Sequence, residues 1–364
     1  MQPDASNTTP ASLLDAFLRQ AGWCAGGGNA PFTAALMRAS HDWLASDDEA
    51  RRCFDALATD PLAAAVPLRW AGALHHLALR GIEPFAALWP PAGEGDPAAL
   101  HRAVPMAWAD HRADVQRALA HPPQTNEVQR SAALLPGLLH IAAATGLPLR
   151  LLEIGASAGL NLWCDRYRHE HAGWSWGDAA APLVIGGEWR GAPPPLLAPL
   201  DVAHRAGCDA RPVDLLDPAE GLRLASFIWP DQPERMARLR AARQGAARWM
   251  ADSGVRIEAM PAAAFVEREL RREAPGRSRV LMHSVVWQYI AAAEQQAISA
   301  SIAAAGSKAT AASPLAWLRF EPADTALDFQ LRCSLWPGGT DTLLARVHPH
   351  GAWVEWLAAG DRAA

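Results

Sequence analysis

The sequence predicts an α/β protein in which an all-helical N-terminal domain precedes a mostly parallel sheet that ends in an antiparallel hairpin. Three observations predict this fold class. Residues 12–120 carry only helical patterns, strand-like segments alternate with helices after residue 123, and only WPGGTD separates the last two strand segments. We expect a helical domain over residues 1–122 and an α/β domain over residues 123–364, with the seam at HPPQTN (121–126).

Composition and charge limit the function classes. The chain has 364 residues, of which 50% are hydrophobic, and a formal net charge of −5. This charge gives no overall attraction to nucleic acid or to an anionic membrane, so we expect a small-molecule substrate and neither of those partners. The polar start MQPDASNTTP predicts no secretory signal. Five scattered cysteines without a C-x-x-C pair predict a reduced, cytoplasmic protein with no metal site.

Capping residues and apolar spacing predict the helices. Ser12 is a candidate N-cap for the first helix, in which apolar residues recur near helical spacing (Leu13, Phe17, Ala21). Thr125 or Asn126 is a candidate N-cap for a later helix that ends at Gly146. That helix would lead into the first strand of the α/β domain.

Eight segments have the short, apolar pattern of buried strands. They are residues 148–155, 183–189, 224–229, 255–260, 279–287, 315–320, 329–336 and 343–356. Helical patterns between several of them predict βαβ units. The connection over about 165–222 is far longer than usual, so we expect it to be a lid-like insertion.

The most informative stretch is LLEIGASAGLNLW (151–163), an apolar strand followed by a turn of small residues. Read as G-x-S-x-G, the turn is the elbow that holds the nucleophilic serine of hydrolases, here Ser157. Read with Glu153, it is E-x-G-x-S-x-G, close to the acid-x-Gly-x-Gly-x-Gly turn of class I S-adenosylmethionine (SAM) methyltransferases. A hydrolase needs strands before its elbow, whereas the upstream half looks helical. The pattern therefore favours SAM and a methyltransferase-like Rossmann sheet.

The physical logic of a SAM site is direct. Small residues let the backbone approach the ligand, a helix that starts after Gly159 would offer free N–H groups, and Glu153 could pair with the ligand's ammonium group. The G-x-G-x-x-G spacing of a dinucleotide site is absent. The predicted cofactor-binding residues are Glu153, Gly155, Ala156, Ser157, Gly159, Asn161, Asp231 and Gln232.

Later strand ends supply the other candidates. Asp231 follows the segment LASFIW (224–229), where a second-strand acid would take the ribose hydroxyls. Met260 stands at the end of the third strand, where many methyltransferases carry an acid near the adenine. His283 ends the fourth strand and is the predicted catalytic base. Ligands bind at the carboxyl ends of strands in such sheets, so we expect Gly155, Asp231 and His283 to converge.

Several segments together resemble the bacterial domain-of-unknown-function family 2332. They are QTNEVQRSAALLPGL (124–138), LLEIGASAGLNL (151–162), AHRAGCDARPVDLLDP (203–218), FIWPDQPERMARL (227–239) and VLMHSVVWQY (280–289). The resemblance covers nearly the whole chain. It implies a bacterial cytoplasmic protein with a methyltransferase-like Rossmann fold, and it supplies no reaction.

A further set of polar residues is predicted to close over the cofactor and select the substrate. These residues lie in the insertion and at the start of the helix before the first strand, and they are Gln124, Asn126, Glu127, Arg130, Arg166, Arg205 and Asp209. The last three could instead form a structural ion-pair network.

Each candidate also has a structural alternative. The two glycines of the turn could serve only close packing, Asp231 could cap a helix, and His283 could be a hydrogen-bonded core residue. Three function classes therefore stay open: a SAM-dependent methyltransferase, a non-catalytic SAM- or nucleotide-binding protein with a degenerate site, and a serine hydrolase.

Overall fold

The N-terminal part of the chain folds as helices. The computed structural model describes residues 11–91, 93, 96–323 and 329–358. Up to residue 125, the described residues form helices and turns and no strand. The helices are α1 (Leu13–Ala25), α2 (Pro31–Ser46), α3 (Asp48–Asp55), α4 (Val66–Leu79), α5 (Phe85–Leu88), α6 (Pro97–Asp110) and α7 (Arg112–Leu119).

The first helix forms as its sequence predicts. The Ser12 hydroxyl accepts a hydrogen bond from the Asp15 backbone N–H at 3.2 Å, and the three apolar residues at helical spacing are all buried. Aromatic side chains extend this core, since Trp43 stacks on Trp70 with ring centroids 5.3 Å apart. An N-cap and one apolar face therefore fix α1.

The rest of the chain alternates between strands and helices. In chain order the elements are α8 (Ser131–Thr145), β1 (Leu149–Ile154), β2 (Arg168–His171), β3 (Trp174–Trp176), β4 (Val184–Ile185), β5 (Glu188–Arg190), β6 (Val202–Asp209), α9 (Pro218–Ser226), α10 (Pro233–Ser253), β7 (Ile257–Ala259), α11 (Ala262–Arg271), β8 (Ser278–Ser284), α12 (Ala292–Gly306), β9 (Leu315–Pro322), β10 (Phe329–Trp336), β11 (Thr340–Val347) and β12 (Trp353–Trp356). Short 3₁₀ helices cover Val128–Arg130, Leu160–Arg166 and Trp287–Tyr289.

Among the described residues, nine strands form one mixed sheet. Their order is β5-β12-β11-β10-β9-β8-β1-β6-β7. The strands from β9 to β7 are parallel, and β9 to β12 form an antiparallel meander. The predicted α/β class with a mostly parallel sheet and a C-terminal antiparallel hairpin is confirmed.

The described chain divides into two compact units. One unit contains residues up to Thr125 together with Asp217–Ala237, and the other contains Asn126–Leu216 and Arg238 onward. One boundary between the units falls between Thr125 and Asn126, and α9 and the start of α10 belong to the first unit. No helix among the described residues has both the length and the apolar content needed to cross a bilayer.

The order of the parallel strands creates a switch point beside β1. After β1 the chain pairs β6 on one side of it and then β7 beyond β6, before it returns to place β8 on the other side of β1. Open α/β sheets bind ligands outside the carboxyl ends of the strands at such a reversal. The turn after β1 lies at that position.

The predicted second strand, residues 224–229, is wrong. Its first half is the end of α9, which Asp217 caps by accepting the Ala219 N–H at 2.8 Å, with Pro218 at the first helical position. The strand beside β1 is instead β6, which lies inside the predicted insertion over 165–222. That segment therefore contributes to the central sheet and is not wholly a lid.

Three smaller predictions also need correction. Residues 183–189 form two short strands in different sheets, β4 and β5, and residues 343–356 are interrupted by a turn between β11 and β12. The element after Gly159 is a 3₁₀ helix rather than an α-helix. A glycine with φ +133 at position 187 explains the first break, because this backbone conformation is unfavourable for L residues with side chains.

Candidate functional site

Glu153 is a buried carboxyl group at the carboxyl end of the central strand. Its side chain is 2% exposed and makes no hydrogen bond in the structure. Burial and the nearby Asp209 carboxylate raise the pKa of Glu153 well above its usual value, while Arg130 acts in the opposite direction. A buried carboxyl group without a partner is costly, so this position favours a cationic or donor ligand.

The turn after β1 is tight and strained. Gly155, Ser157 and Gly159 all have positive φ, at +63°, +53° and +73°. A Cβ atom at Gly155 would lie 2.3 Å from Val286 Cγ2, and one at Gly159 would lie 2.6 Å from Ile257 Cδ1. Both glycines therefore serve close packing on protein atoms, which is the structural alternative for these two positions.

Four backbone N–H groups of this turn and of the residue after it already have acceptors. The N–H of Ala156 donates to Cys208 O, that of Ser157 to Asp209 Oδ2, and that of Gly159 to Ala156 O. The N–H of Leu160, the first residue of the 3₁₀ helix, donates to Asn126 Oδ1 at 2.9 Å. These four N–H groups are therefore not free to bind a phosphate, as those of a phosphate-binding loop are.

Asp209 is the acid that ends the strand beside β1. Its two oxygens accept one backbone N–H each, from Ser157 at 2.9 Å and from Arg211 at 2.8 Å. The sequence pattern predicts Asp209 in the substrate lid and Asp231 at the end of the second strand. In the structure Asp209, and not Asp231, ends the strand beside β1, because β6 rather than residues 224–229 pairs with β1.

Asp231 and Gln232 lie in the first compact unit, between α9 and α10 in the chain. The Asp231 carboxylate accepts hydrogen bonds from the N–H groups of Phe32 and Thr33, at 2.7 and 3.0 Å, and from the Thr33 hydroxyl. It therefore caps α2. Gln232 Oε1 accepts a bond from Arg235 at 3.1 Å. Neither residue follows a strand of the sheet, and the convergence of Asp231 with Gly155 stays a prediction.

Asn161 adds a second unsatisfied polar group beside the turn. Its side chain is 1% exposed, its Oδ1 accepts a bond from the Ser131 hydroxyl at 3.3 Å, and its Nδ2 has no partner. Ser157 Oγ also has no partner, so no histidine lies within hydrogen-bonding distance of it. A serine nucleophile needs an adjacent base, and this turn does not provide one.

The residues that precede α8 have structural partners. Arg130 donates to Pro349 O at 3.1 Å and to Ser284 O at 3.2 Å, so it links the ends of two strands. Glu127 accepts the Gln129 N–H at 3.1 Å. Gln124 lies in the first unit, where its Oε1 accepts bonds from Arg223 at 3.3 Å.

Arg205 supports the 3₁₀ helix from β6. Its side chain is buried, pairs with Asp165, donates to Leu162 O at 2.9 Å and lies over the Trp163 ring. Arg166 is exposed and lies 4.0 Å from Asp165. These two arginines form the structural network considered as an alternative, and Asp209 is not part of it.

His283 lies on the opposite face of the sheet from Glu153. Glu153 pairs with Met282 in the register of β1 and β8, so these two side chains point to one face and His283 points to the other. Its Nδ1 lies 2.6 Å from Glu321 Oε1, and its ring stacks on Trp287. The structure therefore does not bring His283 and Glu153 to one face.

Residues 14–356 match the family described as "Uncharacterized protein conserved in bacteria (DUF2332)". The chain belongs to this family. No curated protein and no solved structure matches this DUF2332 chain.

Glu321 is a site residue of this DUF2332 chain that sequence reasoning missed. Its Oε1 accepts the N–H groups of Val286 and Trp287, at 3.1 and 3.3 Å, as well as contacting His283. It thereby fixes the turn after β8, where Val285 has φ +55, a strained conformation for a β-branched residue. The only available signal was an acid at the end of the strand 315–320.

The described part of this DUF2332 chain contains no group of three or more His, Cys, Asp or Glu side chains that could hold a metal ion. All five cysteines are free.

The polar groups at the end of β1 are Glu153, Asp209 and Asn161, with Ser157 in the turn between them.

Proposed function

We propose that this protein binds SAM at the carboxyl ends of β1 and β6 and transfers its methyl group to a small molecule. The observation that carries the proposal is the buried carboxyl group of Glu153, which makes no hydrogen bond. SAM carries an ammonium group that could donate to this carboxylate. A charge-assisted hydrogen bond of this kind is about twice as strong as one between neutral groups.

The surrounding groups fit the rest of such a ligand. Asp209 ends the strand next to β1, and each of its oxygens accepts only one backbone N–H, so each can accept a ribose hydroxyl as well. The unpaired Nδ2 of Asn161 is a donor for the ligand's carboxylate. A Rossmann sheet with a switch point at β1 supports a methyltransferase-like arrangement by analogy of fold.

The turn favours SAM over a dinucleotide. A pyrophosphate would compete for N–H groups that Asp209, Asn126 and two carbonyls already hold, and it would bring negative charge to Glu153 and Asp209. SAM has no phosphate, and its reacting sulfonium group is positively charged. The charge at this end of the sheet therefore supports a cationic adenosyl ligand.

SAM supplies an activated methyl group, and the protein must align an acceptor with it and remove a proton where the acceptor carries one. We keep His283 as the proposed base, supported by a carboxylate on its Nδ1 and an unpaired Nε2. His283 points to the opposite face of the sheet from Glu153. An acceptor that loses its proton to His283 would therefore approach from that opposite face, near β8 and β9. We also infer a cytoplasmic location, supported by the five free cysteines.

A second candidate is a SAM-binding protein without turnover. Met260, which stands where an acid near the adenine is common, packs against an apolar cluster of α11 and α12. This apolar packing favours a SAM-binding site that lacks one polar contact with the adenine. Ligand binding with no methyl transfer to any acceptor would support this candidate.

Calorimetry with SAM and S-adenosylhomocysteine tests the proposal. We expect both ligands to bind the wild type, and Glu153→Gln and Asp209→Asn each to weaken binding at least tenfold, about 1.4 kcal/mol. Asp231→Asn is the matched control, because it changes an acid that caps α2. No heat with either ligand, or equal loss in the control, would contradict the proposal.

A further inference from the structure

A cavity lies at the amino-end edge of the sheet, opposite the edge that carries Glu153. Its volume is about 520 Å³, and it is bounded by the end of α11, the start of β8 and the end of α12. Four cationic side chains line it: Arg271, Arg272, Arg279 and Lys308. Two carboxylates, Glu267 and Glu273, line it as well.

Arg279 is a buried cation without a counter-ion. Its residue is 6% exposed, its Nη1 donates to Leu270 O at 3.1 Å, and its Nε has no partner. It forms no ion pair, although burial and the neighbouring Arg150 lower its pKa. A buried charge normally has an opposite charge or a full set of hydrogen bonds, so this guanidinium needs an anion.

The nearby acid is already used. Glu269 is 1% exposed and pairs with Arg150, Arg268 and Arg272. Arg150 and Arg279 are register partners in β1 and β8, so two guanidinium groups lie side by side on one face of the sheet. One buried carboxylate therefore faces an excess of cations, and none of its bonds reaches Arg279.

The acids on the rim of the cavity do not neutralise Arg279 either. Glu267 pairs with Arg271 on the same helix, and Glu273 is exposed and forms no ion pair. Lys308 is also exposed and without an ion pair, and it lines the same cavity as Arg279. The cavity thus combines a buried guanidinium with an exposed ammonium group, two donors suited to an oxyanion.

We propose that this cavity binds the phosphate group of a small phosphorylated molecule, with Arg279 and Lys308 as its main cationic contacts. A phosphate dianion suits a cavity lined by two such cations better than a carboxylate does, because phosphate carries more charge and three terminal oxygens. The cavity volume lies in the range of small-molecule sites. The site is separate from the proposed SAM site and does not depend on it.

Titration calorimetry with inorganic phosphate tests this proposal, with acetate at the same ionic strength as the comparison. We expect phosphate to bind the full chain, acetate to bind at least tenfold more weakly, and Arg279→Gln to weaken phosphate binding at least tenfold. Lys308→Gln, at an exposed position, should weaken it about threefold and remains informative if Arg279→Gln fails to fold.

Two matched variants separate local binding from general screening of charge. Glu273→Gln removes an acid from the rim and should tighten phosphate binding, whereas Arg240→Gln removes an exposed cation from α10 and should leave it unchanged. Equal affinity for acetate and phosphate would overturn the proposal. Wild-type affinity in both Arg279→Gln and Lys308→Gln would overturn it as well.

Discussion

At the scale of single residues, Glu153 is where stability and binding conflict most. Its carboxyl group is buried at the end of a central strand, with Asp209 close enough to disfavour its charged form and no hydrogen bond to stabilise it. In the ligand-free protein this arrangement costs stability whenever the group is ionised. Such unsatisfied groups are retained where a ligand supplies the missing partner.

This conflict predicts a specific dependence of stability on pH. The pKa of Glu153 is raised in the folded state above the unfolded value of 4.5, so the folded protein holds a proton that the unfolded chain releases. The contribution of this group to stability is therefore fully present below pH 4.5 and is lost as pH rises toward the folded pKa. Glu153→Gln removes the ionisation, so the variant should gain stability relative to wild type as pH rises.

Urea unfolding of both proteins at pH 5 and pH 8, without ligand, measures this effect. The difference in free energy of unfolding between the variant and the wild type should be larger at pH 8. A difference that is the same at both pH values would show that Glu153 does not titrate as its burial implies.

Ser157 carries a backbone cost that a glycine would not. Its φ of +53 disfavours a residue with a side chain by about 1–2 kcal/mol. Ser157→Gly should therefore stabilise the protein by about 0.5–1 kcal/mol, after the extra freedom of glycine in the unfolded chain is subtracted. Thermal or urea unfolding gives the value.

Ala158→Gly is the control for this substitution, because Ala158 does not have positive φ. This variant should be less stable than the wild type by about 0.5–1 kcal/mol.

Labelling with a fluorophosphonate probe is an independent test of the role of Ser157. Labelling that disappears in Ser157→Ala would contradict our interpretation of Ser157 as a turn residue and would support the serine hydrolase as the function.

At the scale of elements, the turn after β1 and the turn after β8 depend on one close contact. Gly155→Ala combines an unfavourable φ of +63 with an overlap against Val286, so it should cost at least about 2 kcal/mol. Val286→Ala in the same chain should recover part of this loss, because it removes the overlapping methyl groups.

Gly146→Ala isolates the backbone component. Gly146 has nearly the same φ, +64, but no atom lies within 4 Å of the position a Cβ would take. It should cost about 1 kcal/mol. Equal losses at positions 146 and 155 in chemical unfolding would mean that the contact with Val286 adds nothing.

Comparison of the elements with the sequence shows where periodicity is informative. The strand at 329–336 and the turn that follows it were predictable, because an apolar run and two glycines mark them. The strand β6, VAHRAGCD, was not, because five of its eight residues are only partly buried or exposed and its polar residues conceal its central position. Asp209 was therefore assigned to the lid, and the more apolar LASFIW was taken as the strand instead.

Side-chain partners were harder to predict than strands. The cap that Asp231 provides for α2 joins residues almost two hundred positions apart, and the contact between His283 and Glu321 joins two strands. No local pattern encodes such pairs. Glu153 was predictable, because an acid inside an apolar strand is unusual enough to need a reason.

At the scale of the whole molecule, the strand order determines which residues lie at each edge of the sheet. The reversal beside β1 is the place where open α/β sheets commonly bind ligands, and the second unit contains both Glu153 and Asp209 at these strand ends. The basic cavity lies at the other edge of the same sheet. According to our two proposals, one edge of the sheet binds a cationic ligand and the other binds an anion.

A direct test of the role of Glu153 compares S-adenosylhomocysteine with 5′-methylthioadenosine, because both are neutral thioethers of adenosine and only the first carries the amino-acid portion. If Glu153 binds the ammonium group, Glu153→Gln should weaken S-adenosylhomocysteine at least tenfold and leave methylthioadenosine within about twofold of its wild-type affinity, as measured by calorimetry. Equal weakening of both ligands, or of neither, would contradict the assignment of Glu153 to the ammonium group.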